Sequence, residues 1–179
     1  MVGGPGELET TAPQQGDAGH GRGLAETPNV QILIETRIPD EDSIFRRLGG
    51  SRMTCIDSVT GEERPTSGAF MPDPNEDGVS VYRASVLDAM GLTWTVVIRN
   101  QSTRVVELGV SDVRAIEPLD VEPDPWPNEM DEADHARNAA HALITGWVGH
   151  SKNQRHKLAQ SLAKVASFMG GNVAPDDTN

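Results

Sequence analysis

Pro65-Thr-Ser-Gly-Ala-Phe70, a short Pro/Asp loop, and then Asp77-Gly-Val-Ser-Val-Tyr-Arg83 form the stretch on which the rest of the chain hangs. Pro65 and Gly68 mark a turn that delivers Ala69 and Phe70 as apolar residues. Pro72 and Pro74 withhold backbone donors and Gly78 invites a positive φ, so Met71–Gly78 reads as a loop. Beyond it the residues alternate. Val79 and Val81 take one face of a strand, Ser80 and Tyr82 the other, and Arg83 stands at its end. A turn, a polar loop and a strand with a polar face place several functional groups close together, which is how loops on a scaffold build sites.

Outward from this stretch toward the C-terminus, Ser85 is a candidate cap for a short helix through Val86, Leu87 and Met90, closed by Gly91. Thr93-Trp-Thr-Val-Val-Ile-Arg99 is dense in β-branched residues and predicts a strand. Asn100–Thr103 supplies a turn, and Arg104–Val110 predicts a second strand, so an antiparallel hairpin is the economical connection. Ser111 is a candidate cap for a single turn through Val113 and Ile116. From Glu117 to Asp134 the chain is acidic and rich in proline, which predicts a surface excursion pinned by Trp126. Asn138–Gly146 fits a last strand ending at Gly146, and its alanines also allow a helix from Ala133 onward. Leu158, Leu162, Val165 and Met169 fall at helical spacing, which predicts a helix over Lys152–Phe168 ended by Gly170-Gly171.

Toward the N-terminus, Met53–Val59 is open between strand and extended loop. Ser43 is placed to cap a short helix holding Ile44, Phe45 and Leu48, with Gly49-Gly50 as its stop. Asn29–Ile38 alternates Val30, Ile32 and Ile34 with Gln31 and Leu33 and predicts a first strand. Residues 1–28 hold almost nothing to bury and predict a disordered tail, as do residues 170–179. The expected fold is therefore α+β over residues 29–169: a small, mostly antiparallel sheet with short helices and one longer C-terminal helix.

The 179 residues carry a formal net charge of −12, which opposes binding to a phosphate backbone, so a nucleic-acid partner is not expected. One cysteine, Cys55, makes no internal disulfide and offers no second thiol to a metal. Neither a signal peptide nor an apolar run of about 20 residues is visible, so the expectation is a cytoplasmic protein away from the membrane.

The turn Thr66-Ser-Gly-Ala-Phe70, the strand Asp77-Gly-Val-Ser-Val81 and the late segment Asn138-Ala-Ala-His-Ala-Leu-Ile-Thr-Gly146 together resemble an uncharacterised family of small bacterial proteins. That family carries a Pro-Ser-Ser-x-Ala-Phe turn, a Ser-Val strand and a late Pro-Ala-His-Ala-hydrophobic-hydrophobic-Gly element. This chain departs from it at Thr66, where Ser is usual, and at Ala139, where Pro is usual. The resemblance spans about residues 35 to 168 and implies a common fold, with no activity to carry over.

Ser67, Ser80 and Arg83 are candidate ligands for a small anion, with Tyr82 beside them, because hydroxyls and a guanidinium donate to phosphate or carboxylate. The plainer alternative is a turn hydroxyl bonded to its own backbone and a solvated arginine. His141, flanked by alanines, is a candidate general base near Ser80, against the alternative of a packed, hydrogen-bonded histidine. No metal site is expected, since His135 and His141 are badly spaced for one, and no cofactor is assigned. Lys152, Arg155, His156, Lys157 and Lys164 make the C-terminal helix basic, which suits either an acidic partner or a solvated face. With no catalytic motif in view, the first expectation is a protein-interaction module acting through the Trp126 loop or the C-terminal helix. The second is a transferase or hydrolase on a nucleotide-like anion, using Arg37, Ser67, Ser80, Arg83 and His141, with an ADP-ribosyltransferase-like fold as an analogy only.

Overall fold

In Ser43–Leu48, Ile44, Arg46 and Leu48 share one face of an extended run, and Phe45 and Arg47 the other. In the computed structural model of the chain this run is strand β1, not the expected helix. A helix would gather Ile44, Phe45 and Leu48 on one side. As a strand, the run buries Ile44 and Leu48 on one face of a sheet and Phe45 on the other, and pairs with a neighbour along its whole length. Burying each of these side chains contributes about 1.5–3 kcal/mol, which outweighs a single serine cap of about 1 kcal/mol. Asp42, rather than Ser43, meets the local donor, its carboxylate accepting from the Ser43 amide at 2.9 Å.

The structure describes residues 37–50, 52–73, 76–98, 103–126 and 132–170. The expected N-terminal tail, the expected strand over residues 29–36 and the tail from residue 171 lie outside them. Arg37 and Ile38, the end of that expected strand, are not in a strand, and Ile38 is fully buried.

After β1 come β2 (Thr54–Ile56) and β3 (Glu63–Pro65), which pair as a small separate sheet, then a 3-10 turn at Ser67–Phe70. Next are β4 (Val79–Arg83), α1 (Ala84–Ala89), a second 3-10 turn at Trp94–Val97, β5 (Arg104–Gly109) and α2 (Val110–Arg114). β6 (Asp120–Pro123), α3 (Glu132–Ala140), β7 (His141–Thr145), α4 (Lys152–Val165) and β8 (Ser167–Phe168) complete the order. Among the described residues the main sheet has six strands in the order β6-β7-β4-β1-β5-β8, paired antiparallel throughout. The fold is α+β, with a mostly antiparallel sheet and a long C-terminal helix.

Both faces of the sheet are covered. Ile44, Leu48, Val79, Val81, Val106, Leu108, Ala142 and Ile144 pack beneath Phe70, Trp147 and the Ala159 and Leu162 face of α4. Phe45, Tyr82 and Val105 pack on the opposite side against Leu87 of α1, Val97, and Ala136 and Ala140 of α3. A central strand covered on both faces loses the clean polar/apolar alternation that marks a half-exposed one.

Further local expectations give way to tertiary partners. Thr93–Ile98 forms no strand: Thr93 caps the 3-10 turn through the Thr95 amide, and Arg137 bonds the Val96 carbonyl at 2.8 Å. β5 has β1 and β8 as its neighbours, so the predicted hairpin is absent; Arg99 and Asn100–Ser102 lie outside the described residues. Ser85 and Ser111 cap nothing. The α1 amide at Ser85 bonds the Asp42 carboxylate, and the first amides of α2, at Val110 and Ser111, bond the carbonyls of Asp42 and Asp40. The acidic segment is not wholly a surface excursion, since β6 lies along β7 and buries Val121. α4 begins with a Ser151/Gln154 capping box and ends at Val165, three residues early, so that Ser167–Phe168 can pair with β5. The Asn138–Gly146 segment is both things at once: α3 ends at Ala140 and β7 starts at His141.

Candidate functional site

β4 lies against β7 because Gly78 lets it: a Cβ there would stand 2.9 Å from the Ile144 carbonyl oxygen. Close approach, not the expected positive φ, is the reason for the glycine. On its other side β4 meets β1 only at Ile44–Arg83 and Phe45–Tyr82. Beyond Phe45 the two strands part. The Ser80 carbonyl accepts from Arg46 Nη1 at 2.8 Å, and Arg46 Nε donates to the Ala69 carbonyl at 3.2 Å. A side-chain guanidinium thus takes the place of the missing ladder bonds and ties the turn at Ser67–Phe70 to the sheet.

The parting of β1 and β4 opens a cleft of about 380 Å³, walled by Arg46, Arg47, Ser80, Tyr82 and Trp126, with Met53 and Met71 as apolar lining and Asp73 and Glu76 among its acidic groups. Arg46 has two carbonyl partners and no carboxylate within ion-pair distance among the described residues. Burial lowers its pKa, the neighbouring charge of Arg47 lowers it further, and Tyr82, Asp73 and Glu76 pull the other way. Arg47 Nη1 is buried with no hydrogen-bond partner. Arg46 and Arg47 both line the cleft, and among the described residues neither has a carboxylate at contact distance, which makes an environment that gains from an anion.

Of the residues singled out from the sequence, Ser80 and Tyr82 line this cleft. His141 is Tyr82's cross-strand partner on β7 and sits behind the wall, 1% exposed in its side chain. Its ring meets Tyr82 edge-on at 5.9 Å and packs on Trp126 at 4.3 Å. Its Nδ1 stands 2.8 Å from the Asp124 carbonyl oxygen and 3.2 Å from the Asp124 carboxylate, while Nε2 is buried without a partner. Arg83 is elsewhere. Its guanidinium, nearly buried, pairs with Asp42 at 3.2 Å and reaches Ser85 Oγ at 3.4 Å. Ser67 faces α4, its hydroxyl 3.5 Å from His156 Nδ1. Arg37 is exposed beside Asp40 at 3.9 Å. Ser80 and Tyr82 are therefore brought together, His141 lies one ring away, and Arg83, Ser67 and Arg37 belong to other parts of the molecule.

Sequence reasoning missed Arg46 and Arg47. Their signal was present: two consecutive arginines inside Ile44-Phe-Arg-Arg-Leu48, a run whose apolar members are all buried. Read as a helix, the arginines fall on a solvated side. Read as a strand, they point to opposite faces, and one of them must enter the core side. No family model, no curated protein and no solved structure matches the chain. No helix among the described residues is long and apolar enough to cross a membrane.

Proposed function

We propose that the chain is a binding protein for a small anionic molecule, taken into the cleft between β1 and β4. The observation that carries this reading is Arg47 Nη1, buried without a hydrogen-bond partner in a cleft also lined by Arg46, whose guanidinium has two carbonyl partners and, among the described residues, no carboxylate at contact distance. Burying a guanidinium nitrogen without an acceptor is costly, and a phosphate or carboxylate that bonds it recovers that cost. The hydroxyls of Ser80 and Tyr82 add donors of the right kind for the same ligand. A transferase or hydrolase acting on a nucleotide-like anion is less well supported, because His141 is enclosed behind Tyr82 and Trp126 rather than lining the cleft.

The test is thermal unfolding in the presence of inorganic phosphate, pyrophosphate, citrate and nucleotides. A ligand at about a hundred times its Kd stabilises by roughly 2.7 kcal/mol, a shift of several degrees in Tm, and Arg47→Gln is expected to abolish it. If no anion raises Tm in the unmodified chain, the reading is wrong.

A protein-interaction role draws support from exposed apolar side chains, Trp126 in its acidic loop and, near the tip of the β2–β3 hairpin, the pair Ile56 and Val59. It predicts a co-purifying protein that is lost when both are replaced by Ser.

A further inference from the structure

We infer that the ligand of this cleft joins one anionic group to a planar aromatic ring, as a nucleoside monophosphate does, with Trp126 as the wall on which the ring stacks. The inference rests on the anion-binding reading above and adds the class of ligand. Trp126 is 49% exposed, yet it is held in place. Its indole packs on the His141 ring at 4.3 Å, its backbone N–H donates to the Asn138 carbonyl at 3.1 Å, and its Nε1–H reaches the Asp124 carboxylate at 3.4 Å. Asp124 is itself fixed to β7, its amide donating to the His141 carbonyl at 3.1 Å. One side of the indole is thus backed by an imidazole, while its exposed part borders the same cleft as Arg46 and Arg47. A rigid aromatic surface prepared before binding adds affinity for a planar ring at little entropic cost.

Size and charge narrow the class further. About 380 Å³ falls in the range of small-molecule pockets and suits a single nucleotide. Asp73 and Glu76 share the cleft with the two arginines and repel surplus negative charge, which favours one phosphate over three.

The experiment is titration calorimetry of the full chain with ribose 5-phosphate, the four common nucleoside monophosphates and ATP. At least one monophosphate is expected to bind roughly ten- to a hundredfold more tightly than ribose 5-phosphate, the range that base–aromatic stacking supplies, and more tightly than ATP. Trp126→Leu is expected to erase the advantage over ribose 5-phosphate and Trp126→Phe to keep most of it, while Arg47→Gln weakens both ligands. If ribose 5-phosphate and the monophosphates bind equally, the anion site stands and the aromatic inference fails. If ribose 5-phosphate, the monophosphates, phosphate and citrate all fail to bind, the inference and the reading it rests on fall together.

Discussion

Replacing Asp42 by Ala removes the acceptor of four hydrogen bonds. Its carboxylate accepts from Arg83 Nε at 3.2 Å, from Ser85 Oγ at 2.6 Å, from the Ser85 amide at 3.2 Å and from the Ser43 amide at 2.9 Å. The two charged side chains are 4% and 8% exposed, so water cannot take over. Breaking a buried pair from one side takes the Asp42 carboxylate from Arg83 and an acceptor from the Ser43 and Ser85 donors, at a cost of about 3–5 kcal/mol. Against a total of about 5–15 kcal/mol for a domain, that is at least about a fifth of the stability. With a urea dependence of about 2 kcal/mol per molar, the unfolding midpoint is expected to fall by roughly 2 M. Arg83→Met should cost a similar amount, whereas the double variant should recover part of the loss, since neither charge of the pair is then buried without the other. Ser85→Ala, at an exposed position, should cost only about 1 kcal/mol. The reasoning is refuted if Asp42→Ala and Arg83→Met each move the midpoint by less than about 0.5 M, or if the double variant loses the sum of both. It also follows that a defect in an Arg83 variant reports on folding before it reports on a ligand.

Two further outcomes concern the opposite end of the sheet. Gly146 has φ +93°, and a Cβ there would lie 2.3 Å from the Pro118 carbonyl oxygen, so Gly146→Ala is expected to cost more than the roughly 1–2 kcal/mol of left-handed backbone alone and to lower Tm by several degrees; an unchanged melting curve would contradict it. Burial by itself would raise the Asp120 carboxyl, but the hydrogen bond and charge of Arg114 and the Val121 amide hold it below its ordinary 3.8. A depressed carboxylate contributes stability that is fully present above that ordinary value and is lost as pH falls through the lower folded-state pKa. Urea midpoints between pH 6 and pH 3 should therefore fall less steeply at the acid end for Asp120→Asn than for the unmodified chain, and identical slopes would count against the Arg114 bond.

Much of the element content was legible from local pattern. The Val79–Tyr82 alternation, the β-branched Arg104–Gly109 run and the helical spacing of Leu158 and Leu162 each carry a period that one element satisfies and the others do not. Capping signals were less reliable. Ser43, Ser85 and Ser111 all look like caps, yet Ser43 lies in β1, and the Ser85, Val110 and Ser111 amides at the starts of α1 and α2 are served by the Asp42 carboxylate and the Asp42 and Asp40 carbonyls, groups remote in sequence from α1 and α2. The strand expected at Thr93–Arg99 failed for a related reason: propensity favours extension there, but β5 already has partners on both edges, and an unpaired strand gains nothing from its propensity.

For the candidate site, the sequence by itself determined that Ser80 and Tyr82 share a face, because strand period is a local property, and that Trp126 is the large apolar group of an acidic, proline-broken segment. Only the tertiary structure decided what those residues face. The parting of β1 from β4, the Arg46 guanidinium standing in for ladder bonds, and the backing of Trp126 by His141 each join residues from different strands and loops. Strand register and side-chain burial are set by non-local pairing, so no local window contains them. For the same reason Arg83 proved to be the partner of Asp42, forty-one positions earlier in the chain, and Arg46 and Arg47, hidden in a run that reads as a helix, came to wall the cleft.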